Sequence, residues 1–85
     1  MSLDDRSARI RRESAVSVAV QVADDIQADI DSRRIPPDTR LPSEVELSQQ
    51  YGVARLTVRR AVELLRDRGK VVTIHGRGSF SMPSK

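Results

Sequence analysis

Cysteine is absent from this sequence, which excludes disulfide staples and cysteine-based zinc fingers and fits a reducing cytosol. Tryptophan is absent too, and one Phe and one Tyr are the only aromatic residues. A core must therefore be assembled from Val, Ile, Leu and Ala, and 85 residues suffice for one small domain of modest stability unless a second copy or a partner adds to it. No apolar run is long enough to span a membrane or serve as a signal peptide, so a cytoplasmic location is expected. Also missing are a nucleophile beside a base, paired carboxylates in an apolar setting and a phosphate-cradling loop ahead of a helix. The sequence therefore does not read as an enzyme. His75 stands alone without cysteine or a second histidine, so neither a metal site nor a cofactor is expected.

What is present is charge, unevenly spread. The net charge is only +3, but residues 54–85 hold eight Lys or Arg against two acids, while residues 14–53 hold three against seven. A basic half of this kind attracts phosphates, and an acidic half can face away from them. Residues 1–14, rich in Asp, Arg and Ser with few apolar partners, read as a mobile N-terminal arm. Its arginines Arg6, Arg9, Arg11 and Arg12 stand among Asp4, Asp5 and Glu13, which weakens the case for an arm that tracks DNA.

Roughly residues 15 to 33 have helical spacing, with Val16, Val20, Ala23, Ile26 and Ile30 on one face and Asp24, Asp25, Asp29 and Asp31 mostly opposite. Ile35-Pro36-Pro37-Asp38 ends that helix, because successive prolines remove donors and disfavour helix before them. Thr39-Arg40-Leu41 has room for a very short strand.

The most informative stretch follows. Ser43 stands three residues ahead of Glu46, a capping box that satisfies two otherwise unpaired donors at a helix start. Val45, Leu47 and Tyr51 supply an inner face over roughly 44 to 51, and Gly52 ends the helix because glycine accepts the left-handed conformation. A second helix, roughly 54 to 68, repeats Val58, Ala61, Val62 and Leu65 at the period of one buried stripe, leaving Arg55, Arg59, Arg60, Glu63 and Arg66 outside. Two short helices about a glycine turn, the second studded with arginine, are how a helix-turn-helix meets DNA. After Gly69, Lys70-Val71-Val72-Thr73-Ile74 is a β-branched run, His75-Gly76-Arg77-Gly78-Ser79 turns tightly, and Phe80 returns as a partner strand. The expected fold is mainly α with a small β wing: three helices plus a β-hairpin, a winged helix-turn-helix over residues 15–81, followed by a tail or linker start at 82–85.

Leu41-Pro42-Ser43-Glu44, Gly52-Val53, Thr57-Val58-Arg59 and the Gly-Arg-Gly wing tip occur in the order and spacing by which the chain resembles the N-terminal DNA-binding domain of the GntR family of bacterial transcriptional regulators, over about residues 16 to 81. The closing His-Gly-Arg-Gly-Ser-Phe is similar to the HutC-type subgroup. The resemblance implies a nucleoid-associated regulator, in most cases a repressor, that binds a palindromic double-stranded operator as a homodimer. The helix of residues 54–68 would lie in the major groove, with the wing of residues 75–79 at the minor groove.

Carried over by residue, Arg55 and Arg59 would be the principal contacts, since arginine's planar fork suits the O6/N7 edge of guanine. Thr57 would add a backbone or base contact, and Arg60 would grip phosphate. His75, Gly76, Arg77 and Gly78 would form the groove-facing wing tip. Ser43 is chiefly a cap beside the DNA backbone, and Arg40 reads either as a phosphate contact or as a surface ion pair. Arg66 and Arg68 lie too far along the helix to read bases and are expected to serve solubility or distant attraction.

Three residues depart from the family pattern. Val45 stands where many relatives have a DNA-contacting arginine. Ala54 replaces the usual Ser or Thr cap, and Leu56 replaces a frequent Thr, offering a thymine methyl an apolar partner. The operator should differ accordingly. Family members normally carry a second domain that binds a small effector and supplies much of the dimer interface, so an effector is expected only if the parent protein has such a domain. Met82-Pro83-Ser84-Lys85 reads as the start of a linker to one. The alternative function is a winged-helix module that binds protein through the same face; its arginines argue against that, because protein-binding surfaces favour aromatic and apolar anchors.

Overall fold

A computed structural model describes residues 5–83. Three helices, α1 (Val18–Asp31), α2 (Glu44–Tyr51) and α3 (Arg55–Asp67), precede two antiparallel strands, β1 (Val71–Ile74) and β2 (Gly78–Ser81). This is a winged helix-turn-helix, as the sequence predicts. No helix among the described residues is long and apolar enough to cross a membrane.

Local chemistry explains each boundary. Ser17 caps α1 by accepting from the Val20 N–H at 3.2 Å, and Ser43 caps α2 in the anticipated box. The Ser43 hydroxyl accepts from the Glu46 N–H, and the Ser43 N–H donates to Glu46 Oε1, both at 3.1 Å. Gly52 closes α2 at φ 63°, ψ 40°, the left-handed position that costs a side-chain-bearing residue about 1–2 kcal/mol. Ala54 begins α3 with no side-chain cap. The short strand anticipated at 39–41 is a single bridge, Arg40 to Phe80. The Leu41 N–H donates to Ser79 O and the Ser81 N–H to Thr39 O, each at 2.8 Å, which ties the loop to the wing.

α1 and α2 both pack on α3. The core joins Val22, Ala23 and Ile26 of α1 to Leu47 and Tyr51 of α2 and to Val58, Ala61 and Leu65 of α3, with Leu41 and Val71 closing one end. Ala23 and Ala61, both without exposed surface, let α1 and α3 approach closely.

Two expected faces are corrected. On α1 the buried residues are Val22, Ala23, Ile26 and Asp29; Val16 lies before the helix and is exposed. On α2, Val45 is 42% exposed and Leu47 and Tyr51 carry the packing.

Residues 1–4 of the expected arm lie outside the described residues, while within residues 5–14 Arg6 and Ile10 are buried against the helices. The Arg6 N–H donates to Gln50 O at 2.7 Å, and Ile10 joins the core. The Arg6 guanidinium is buried among Asp25 (2.9 Å), Asp29 (2.6 Å) and the Tyr51 hydroxyl (3.3 Å). Burial opposes the charge on Arg6, but its bonds to Asp29 and Tyr51 outweigh that and hold it protonated. Asp29, which by type belongs on the solvent face, is buried because Arg6 neutralises it.

Candidate nucleic-acid interface

α3 presents its arginines outward because its apolar stripe is spent on the core. Arg55, Leu56, Arg59 and Arg60 are exposed and Thr57 is half-buried. At about 100° per residue, Arg55, Arg59 and Arg66 fall along one ridge and Leu56 and Arg60 along the next. Leu56, 52% exposed, is an apolar side chain set among cations.

Arg59 is held from α2. Its Nε and Nη2 each donate at 3.0 Å to a separate oxygen of Glu44. These bonds hold the Glu44 carboxyl below its ordinary range and the Arg59 guanidinium above its own. Nothing in the sequence signals the pair, because its members stand on different helices and no single periodicity relates them.

The wing rises from the far end of α3. Thr73 binds both neighbours, accepting from Arg66 Nη1 at 3.0 Å and meeting Ser79 Oγ at 2.9 Å. Arg66 is thus a strut between helix and wing rather than the free solubility residue anticipated. Arg68 is likewise engaged, with Asp24 and Gln27 of α1. Lys70 binds Asp31. The acids of α1 therefore do not simply face away: they take up Arg6, Arg9, Arg68 and Lys70.

At the wing tip the Arg77 N–H donates to Ile74 O at 2.9 Å. Gly76 sits at φ 77° and Gly78 at φ 113°. His75, Gly76 and Arg77 are exposed, and the Arg77 guanidinium lies 5.9 Å from the centroid of the Phe80 ring, a cation–π contact that steadies it without neutralising it.

Arg40, Ser43, Glu44, Arg59, Arg66 and Gly78 line one open groove of about 320 Å³ between the helices and the wing. Arg40 crosses directly over Gly78: a Cβ there would stand 3.0 Å from Arg40 Nε. Of the residues singled out in the sequence, Arg40, Ser43, Arg59 and Gly78 share this groove. Arg55, Leu56, Thr57 and Arg60 lie on α3 outside its lining, and His75, Gly76 and Arg77 form the tip. The Ser43 hydroxyl is already engaged in the helix cap.

Comparison with known proteins gives the same picture. The family model for bacterial regulatory proteins of the gntR family matches residues 18–80. The HTH-type transcriptional regulator Rv0792c of Mycobacterium tuberculosis is 41% identical over 80 residues, 94% of this chain and 29% of that protein. The histidine utilization repressor of Klebsiella aerogenes is 46% identical over 44 residues, 52% of this chain and 18% of its own length. The chain thus spans less than a third of either relative. Among solved structures, the AraR DNA-binding domain in complex with operator ORR3 superposes with a TM-score of 0.75 at 35% identity, covering 85% of this chain and 87% of that one.

Proposed function

The chain belongs to the GntR family of bacterial regulatory proteins, and on that premise we propose that it is the sequence-specific DNA-binding unit of a cytoplasmic transcriptional regulator acting as a repressor. The observation that carries this reading is the likeness to AraR's DNA-binding domain, whose structure was solved on its operator, together with the exposed arginines of α3. In the proposed complex α3 lies in the major groove. Arg55 and Arg59 meet guanine edges or phosphate, Leu56 packs on a thymine methyl, Thr57 makes a backbone or base contact, and Arg60 grips phosphate. His75, Gly76, Arg77 and Gly78 enter the adjacent minor groove, while Arg40 and the Ser43 end of α2 border the phosphates. Similarity to the histidine utilization repressor and the His-Gly-Arg-Gly wing support assignment to the HutC-type subgroup.

Two copies on one palindrome bind more tightly than one, because the second half-site is engaged at high effective concentration. In isolation the chain is expected to be a monomer or weak dimer.

The test is titration of a labelled duplex at several salt concentrations, with the parent chain and with Arg55, Arg59 and Arg77 each changed to Ala. Affinity should fall steeply with salt, with a slope near 0.9 per neutralised phosphate, and each substitution should weaken binding. A flat salt response with unweakened variants would instead favour the protein-binding alternative.

A further inference from the structure

Residues 5–14 precede the stretch matched by the family model and carry four arginines. Two are neutralised where they stand, Arg6 by Asp25 and Asp29 and Arg9 by Asp25. Arg11 and Arg12 are exposed and form no ion pair among the described residues. Their place is fixed by the fold. The side-chain amide of Gln21 grips the Arg11 backbone on both sides, accepting from its N–H at 2.7 Å and donating to its carbonyl at 2.8 Å. Arg12 then donates through Nη2 to the carbonyl of Gly52, the residue that turns α2 into α3. The N-terminal segment packs closely on this turn, since a Cβ on Gly52 would stand 3.0 Å from Ser7 Cβ.

One bond to a carbonyl occupies one of a guanidinium's five N–H donors and leaves its charge uncompensated. α3 begins just beyond this turn, and the wing is attached at its other end. A helix of 13 residues is about 20 Å long at 1.5 Å per residue. Arg12 therefore stands at the turn just ahead of the N-terminal end of the groove-facing helix, and Arg11, its neighbour in sequence, lies on the Gln21 flank of α1 beside Asp24 and Asp25.

We propose that Arg11 and Arg12 form an additional DNA phosphate-contacting site beside the helix-turn-helix turn, gripping the backbone on the N-terminal flank of α3 while the wing holds the other. The proposal rests on the reading of α3 as the helix in the major groove. The contact is to phosphate rather than to a base edge, because both arginines stand on irregular backbone outside that helix and Arg12 is tethered to Gly52. The N-terminal segment thus adds to the binding surface from outside residues 18–80, the stretch matched by the family model.

The experiment compares the full chain with its Arg11→Gln and Arg12→Gln double variant on a random-sequence duplex and on a selected high-affinity duplex, each across a range of salt. Glutamine keeps a polar amide but carries no charge. Affinity should fall by the same factor on both duplexes, and the slope of log affinity against log salt should shrink by roughly 0.9 per arginine, with the melting temperature unchanged. Arg12→Lys, which keeps the charge, should retain the parental slope.

An unchanged slope in a double variant that still binds DNA would overturn the proposal and leave the reading of α3 standing; a parent chain that binds no DNA would overturn both. If the double variant unfolds, Arg11→Gln decides alone, because the Arg11 side chain makes no hydrogen bond among the described residues. A slope in that variant equal to the parent's would overturn the proposal.

Discussion

Arg59 on α3 is oriented by Glu44 on α2 through two hydrogen bonds of 3.0 Å. The Arg59 side chain is 60% exposed, so this pair adds little to stability. Its effect is geometric: it fixes the plane of the fork that is proposed to meet guanine. In the proposed complex Glu44 also places a negative charge beside the phosphates, which would penalise binding wherever Arg59 finds no base to bond. Glu44→Gln should therefore raise affinity for random DNA and lower the ratio of specific to random binding, as measured by paired titrations. An unaltered ratio would remove Glu44 from recognition.

The buried cluster around Arg6 makes the N-terminal segment part of the fold. Arg6→Ala strands Asp25 and Asp29 without their shared cation and should cost on the order of 2 kcal/mol, the size of a charged hydrogen bond. Denaturant unfolding measures it. A mobile arm would show no change.

The same cluster sets an acid limit. Burial pushes the Asp25 carboxyl up, but hydrogen bonds from Tyr51, Arg9 and Arg6 outweigh it and hold the group below the usual carboxylate range. A carboxylate with a depressed folded pKa contributes stability above its unfolded pKa of about 3.9 and loses it as pH falls through the lower folded value. Thermal melts should hold steady from neutral pH to about 5 and drop below about 4. The drop should be shallower in Asp25→Asn, which has no group there to titrate.

Ala54 has an extended backbone, φ −66°, ψ 150°, close to that of the capping residues Ser17 and Ser43. Ala54→Ser should therefore cap α3 and raise stability by about 1 kcal/mol. An unchanged unfolding midpoint would show that the added hydroxyl does not reach the first-turn N–H groups.

The winged helix itself was legible because its signals are local. A Ser-to-Glu capping box, a glycine at a left-handed turn and a β-branched run after Gly69 each act within a few residues. The packing of the N-terminal segment was not legible. Asp29 reads as a solvent residue until Arg6, 23 positions away, neutralises it, and Arg12 reads as part of a tail until it reaches Gly52. Arg66 likewise reads as a free surface charge, because only the folded wing brings Thr73 within its reach. Local pattern does not encode such contacts between separate elements, and here they decide which arginines are held within the fold.

The most direct test of sequence-specific recognition by α3 is selection from a random double-stranded pool at moderate salt, run in parallel with the parent chain and Arg59→Ala. The parent should enrich a short palindrome. Arg59→Ala should lose preference at one base pair in each half-site, with a cost on the order of 1–3 kcal/mol on the parental sequence. A parent chain that enriches no sequence, or an Arg59→Ala chain that enriches the same palindrome with the same preference at every position, would contradict the account.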